Sequence, residues 1–208
     1  MQALGCELDT GVLHAFYEGL EESLDAAMEG LVTTEFMEQC FPKIEDQVAT
    51  LMGSRQERAE QRRGTDLDEE DIEQMNEVEE AEAELLQQVV AAIGGFLKCL
   101  GDTALPRVEA LVQQYFNPLL AQPSRGHEDR WVALLVISDC LEYAPASVKH
   151  LPALLPELVK HAQSESHDVA NVCIYTLGVI AEKFPAVCCP AAVPLLPPIG
   201  AACPLHAC

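Results

Sequence analysis

Basic residues are scarce. Only 12 Lys and Arg stand against 34 Asp and Glu, a formal net charge of −22 over 208 residues. Phosphate would be repelled by such a chain, which speaks against nucleic acid as a direct partner. A partner rich in Lys and Arg is the electrostatic complement. Aromatic residues are also few, at 5% with Trp131 the single tryptophan. Sheet cores lean on aromatic and β-branched side chains, so an all-β fold is disfavoured. Hydrophobic residues still make up 49%, enough for a packed helical core. The nine cysteines include no CxxC pair, and their number is odd. Reduced thiols in a cytosolic or nuclear protein are expected, not a disulfide scaffold. The first thirty residues hold no unbroken apolar core of a signal peptide. No run of about 18 apolar residues free of charge and proline suggests a membrane span. HExxH, GxSxG, Walker and GxGxxG patterns are all missing, so neither an enzyme nor a cofactor site is expected. Cys188, Cys189, Cys203, His206 and Cys208 fit no zinc-finger spacing, and no metal is expected.

What is present is a repeated stripe. Val89, Ile93, Phe96 and Leu97 follow helical spacing. A shift of 44 brings them onto Ala133, Ile137, Cys140 and Leu141, and a further 40 onto Cys173, Leu177, Ile180 and Ala181. All of these positions are apolar or cysteine. Each copy is followed by a turn with Gly or Pro and then by a second apolar helix. Gly101 is read as a helix stop, and Thr103 and Ser147 as caps of the second helices. Pro118, Pro156 and Pro197 each fall near the middle of a second helix, which they should bend. A less regular pair precedes these. Leu13, Phe16, Leu20, Leu24 and Leu31 mark its first helix; Phe36, Cys40, Ile44, Val48 and Leu51 mark its second, with Thr33 or Thr34 as cap. Gly94-Gly95 and Gly178 sit inside helices and suggest tight packing.

A period of 40 to 44 with two helices per unit is the signature of a HEAT- or armadillo-type solenoid, in which stacked pairs form one core. The expected fold is therefore an all-α HEAT-repeat solenoid of antiparallel helix pairs carrying an acidic insertion. The expected units are a first pair at 1–63 (helices about 11–30 and 34–63), an acidic linker at 64–81, repeats at 82–122 and 127–163, an incomplete repeat at 167–197, and an irregular tail at 198–208. The tail has no polar capping face, so the chain looks cut from a longer array.

The segment Asp66 to Glu84 carries eleven acids and no base. Such a block is expected as a solvated insertion, its last residues joining the next helix. Asp66, Asp68, Glu69, Glu70, Asp71, Glu73, Glu77, Glu79 and Glu80 are the candidate partner-binding residues, as an acidic patch for basic segments. Trp131 is expected to pack between repeats with the stripe residues, and Arg130 to pair with an acid on a neighbouring unit.

Two stretches resemble a known family. "DRWVALLVISDCLEYAPAS", Asp129 to Ser147, is similar to a repeat in importin-beta (karyopherin-beta) transport receptors, above all the karyopherin beta-3 group. Asp129, Arg130 and Trp131 open the helix, Glu142 closes it, and Pro145-Ala146-Ser147 form the turn. "YTLGVIAEKF", Tyr175 to Phe184, looks like the following repeat, and the group has an acidic stretch upstream. The resemblance covers about residues 12 to 196. It implies a long HEAT superhelix that carries basic cargo, such as ribosomal proteins and nuclear-localisation-signal proteins, between cytoplasm and nucleus. It also implies release by RanGTP, contact with nuclear pore phenylalanine-glycine repeats in the full-length receptor, and no enzymatic activity. A general HEAT-repeat scaffold or adaptor subunit is the alternative reading.

Overall fold

The computed structural model describes residues 10–27, 30–64, 68–121 and 126–185. Among the described residues there is helix and no strand. The helices are α1 (Thr10–Ala26), α2 (Thr34–Gly64), α3 (Glu69–Leu100), α4 (Leu105–Leu111), α5 (Asn117–Ala121), α6 (His127–Tyr143), α7 (Leu151–His161) and α8 (His167–Lys183). A π-helical turn, Val112–Phe116, joins α4 to α5 into one bent rod. Pro118 explains the wide turn. It has no N–H for the carbonyl four residues back, and its ring crowds that carbonyl.

First helices stack on one another: α1 packs on α3, α3 on α6, and α6 on α8. Second helices lie behind them, with α2 on α3, α5 and the π turn on α6, and α7 on α8. This is the layered ladder of a HEAT solenoid. The core follows from the stripe. Val89, Ile93, Phe96 and Leu97 are fully buried, and Ala133, Ile137, Cys140, Leu141, Cys173 and Ile180 are buried too. Each fully buried large apolar side chain contributes roughly 1.5–3 kcal/mol. Leu177 is half-buried. Ala181, expected in the stripe, is exposed, because among the described residues no helix packs on that side of α8. On α1, Phe16 is also exposed, and Tyr17 takes the buried position instead. On α2, Met37 and Phe41 are buried, whereas Phe36 is exposed and Cys40 half-buried.

Gly94 and Gly95 mark where first helices cross. A side-chain carbon built on Gly95 would lie 2.9 Å from Leu24 Cβ of α1. One built on Gly94 would run into the Asp139 carboxylate of α6. The paired glycines let α3 take a neighbour closely on both sides. Gly178 is different, because nothing lies within 4 Å of its built carbon.

Turns stack as the helices do. Gly101 ends α3 with φ 54°, a conformation only glycine adopts freely, and its built carbon would lie 3.2 Å from the Tyr143 carbonyl. Asp102 Oδ1 accepts a hydrogen bond from Ala146 N at 2.8 Å, tying one turn to the next. Thr33 caps α2 by accepting from Phe36 N at 3.2 Å. Thr103 and Ser147 are not caps. Both sit in 3-10 turns, and the helices they were expected to open begin at Leu105 and Leu151.

The segment expected as an acidic linker over 64–81 is helical from Glu69 onward and forms the first half of α3. Asp68 caps it, accepting from Asp71 N at 2.9 Å, while the Asp71 side chain accepts from Asp68 N. Acids in the first turn also suit the positive end of the helix dipole. The long apolar half of this helix would satisfy the length and composition of a membrane span, yet more than half of that window is buried inside the protein.

Candidate functional site

The first half of α3 has two faces. One is turned to α2. Arg58 clamps Glu82 with both terminal nitrogens, one at 2.9 Å, and Arg62 reaches Glu79 at 2.9 Å and Asn76 Oδ1 at 2.8 Å. The Arg58 guanidinium and the Glu82 carboxylate are both largely buried, and the hydrogen bond to Glu82 raises the Arg58 pKa. Glu79 is thus spent on an internal ion pair. Asp68 and Asp71 are spent on the cap. Asp66 lies outside the described residues.

The other face is free. Glu70, Glu73, Glu77, Glu80 and Glu84 are exposed and follow steps of three and four residues. In a helix that spacing sets them in one line. Glu69 is exposed beside them. None of the six makes a salt bridge among the described residues. The structure therefore brings together Glu69, Glu70, Glu73, Glu77 and Glu80 of the expected patch, adds Glu84, and withdraws Asp68, Asp71 and Glu79.

Five acids on other helices, Asp25, Glu38, Glu45, Glu109 and Asp129, pair with cations of another unit. Arg55 of α2 pairs with Asp129 of α6. Arg107 of α4 bonds Glu38 and Glu45 of α2, and its hydrogen bond holds the Glu38 carboxyl below the usual range. Glu109 of α4 meets Lys149 and His150, each at 2.8 Å. Burial would raise the Glu109 pKa, but these two hydrogen bonds outweigh it and lower it. Lys98 of α3 reaches Asp25 of α1 at 2.7 Å. Opposite charges from adjacent units thus fix how the units sit on each other.

Where the free face of α3 runs into the core half, it borders an open groove of about 530 Å³ between α1, α3 and α6. Asp139, Trp131 and Tyr143 of α6 line it, together with Gln88 of α3 and Glu21 and Asp25 of α1. Asp139 makes no hydrogen bond or ion pair among the described residues. Burial, and then the Glu142 charge, push its carboxyl up to about 7. Gln88 Oε1 is buried without a hydrogen-bond partner. Trp131 packs half-buried against both core clusters and also lines the groove. No group of three or more metal-ligating side chains occurs among the described residues. The Cys and His residues of the tail lie outside them.

The stacked pairs, the turn-to-turn links and the cross-unit ion pairs define a helical-repeat protein of the HEAT class. Residues 12–121, more than half of the chain, match the family described as importin repeat 6, and the chain belongs to that family. Its fold is similar to the crystal structure of Kap121p, with a TM-score of 0.70 and 16% identity, covering 90% of this chain and 16% of that one. A Kap121p mutant with three acidic residues replaced by lysine matches with a TM-score of 0.68 and 17% identity, covering 91% of this chain and 17% of that one. The chain thus spans only a small part of the length of the solved protein it resembles.

Proposed function

We infer that these repeats belong to a nuclear import receptor of the karyopherin beta-3 type, working in cytoplasm and nucleus, and that they contribute a surface for basic protein cargo. The observation that carries this reading is the line of unpaired carboxylates on α3, Glu70, Glu73, Glu77, Glu80 and Glu84. They are held on a capped helix, so the charges are ordered before a partner arrives, which lowers the entropy lost on binding. The partner is a segment rich in Lys and Arg, such as a nuclear localisation signal or a ribosomal protein tail. In the full-length receptor, RanGTP releases the cargo and phenylalanine-glycine repeats meet other surfaces. The role is one of binding, not catalysis. We assign four structural units to the chain, with α1–α2, α3–α5, α6–α7 and α8 as their helices.

The test is a binding titration of this chain with a lysine- and arginine-rich ribosomal-protein peptide, with and without RanGTP, at two salt concentrations. The triple variant Glu73→Lys, Glu77→Lys, Glu80→Lys should bind at least tenfold more weakly. Binding of the natural chain should fall steeply with salt, since exposed charges are screened within about 10 Å at 0.1 M. Equal affinity of the two proteins would remove α3 from the cargo surface.

A further inference from the structure

We propose that the groove between α1, α3 and α6 is a receptor for a single arginine side chain of a partner segment, with Asp139 at its base. The proposal rests on the reading that basic segments bind this chain, and it names a site for one of their side chains.

Three features point to a cation of this shape. Asp139 is a carboxylate set between two first helices with no hydrogen-bond or ion partner among the described residues. Gly94 leaves the space it occupies, since any side chain there would meet that carboxylate. A half-buried carboxylate with no partner of its own is open to one, and a guanidinium would match it with two parallel hydrogen bonds. Gln88 lines the same groove from α3, with its covered Oε1 lacking a hydrogen-bond partner. Trp131 supplies an aromatic surface on the same groove, and such surfaces attract planar cations, whereas the Tyr143 ring already carries Lys183 Nζ at 5.8 Å. Arg is favoured over Lys because its planar fork offers five donors and stacks on rings.

Charge leads toward this groove. The line Glu73, Glu77, Glu80 and Glu84 continues along α3 in the same steps to Gln87 or Gln88, then Ala91 and Gly94, all of which border the groove. Glu21 and Asp25 line its α1 wall. Lys98 is the groove's own cation, and it is paired with Asp25 at 2.7 Å, leaving Asp139 unmatched. A basic segment lying along α3 would bring one side chain over Asp139.

Trp131 is the single tryptophan of the chain and stands in the groove wall, so its fluorescence reads the site directly. The full chain is titrated at low salt with an acetylated peptide of alternating arginine and glycine and with its lysine counterpart. Trp131 emission and the anisotropy of labelled peptide are followed together. The arginine peptide should give a saturable Trp131 change, and Asp139→Asn should weaken its binding at least fivefold. The lysine peptide should bind more weakly than the arginine one. Glu73→Lys with Glu77→Lys should weaken both peptides while leaving the Trp131 change at saturation intact.

If Asp139→Asn binds as well as the natural chain, or if peptide binds while Trp131 stays silent, the groove is not the site, and the cargo reading on α3 stands. If neither peptide binds at low salt, both readings fall. Circular dichroism of Asp139→Asn provides the folding check. A second variant, Gly94→Ala, fills the space beside the carboxylate and should weaken the arginine peptide as well.

Discussion

Leu24 Cβ of α1 lies 2.9 Å from the point where a side chain on Gly95 of α3 would begin. The Gly95→Ala variant therefore has to push two packed helices apart. Overpacking of this kind costs about 1–3 kcal/mol. Gly178→Ala, which meets nothing within 4 Å, should instead stabilise the chain by roughly 0.8–1.0 kcal/mol through helix propensity. Thermal melts of the two variants should shift in opposite directions. Equal shifts would show that Gly95 is not a contact point.

Arg58 ties the first half of α3 to α2 through Glu82 and Glu79. Arg58→Ala would leave the largely buried Glu82 without its partner, a loss of roughly 1–3 kcal/mol. The effect should be local. Amide hydrogen exchange should rise over α3 before Leu85 and stay unchanged in α8. Uniform acceleration would mean that the pair supports the whole array.

Asp139 gives the chain an inverted pH response at one position. Burial, and then the Glu142 charge, push its folded carboxyl up to about 7 from the ordinary 3.8. The raised value means that the folded state holds its proton more tightly than the unfolded one. That contribution is complete below pH about 4 and is lost as pH rises through about 7. Asp139→Asn removes the titration. The variant's stability advantage should therefore grow from pH 4 to pH 8, by roughly 2–4 kcal/mol. Denaturant melts of both proteins at several pH values measure the difference, and a constant difference would refute it.

Burial pushes the thiol of Cys140 up to about 12 and that of Cys173 up to about 11. The reactive species is the thiolate, so both should resist iodoacetamide at pH 7.5 while the chain is folded. Cys40 and Cys99 are half-buried with raised values and should react slowly. Mass spectrometry after timed alkylation gives the order. Early labelling of Cys173 would indicate that α8 opens often.

Val12 and Phe16 on α1 and Ile174 on α8 are large apolar side chains more than half exposed, at the two ends of the stack. Uncovered apolar faces of this kind drive association. The variant Phe16→Ser with Ile174→Ser should scatter less light at high concentration. Its melting temperature should stay within a few degrees, because neither residue is in the core.

The fold was legible because burial repeats. Every unit needs apolar positions against its neighbour, so Val89, Ala133 and Cys173 occupy one structural role in three places. The rule failed at Ala181, where no described helix lies on that side of α8. The acidic segment misled for a different reason. Composition reports how a segment behaves alone, and α3 before Leu85 does not stand alone. Arg58 and Arg62 of the preceding helix draw it into order, and Asp68 caps it. The groove was invisible in sequence because Asp139, Gln88 and Asp25 come from three helices. The Gly94-Gly95 pair was the one local hint, and it announced a close crossing without saying what crossed.

Helix α6 serves two cores. Val132, Ala133, Val136 and Cys140 belong to the cluster shared with α1 to α5, whereas Leu134, Ile137 and Leu141 belong to the cluster shared with α7 and α8. Mechanically, this places a seam along a single rod. Stretched between its ends in an optical trap, the chain should yield in two events rather than one, with α7 and α8 torn away as the smaller step and α6 left standing as the new edge.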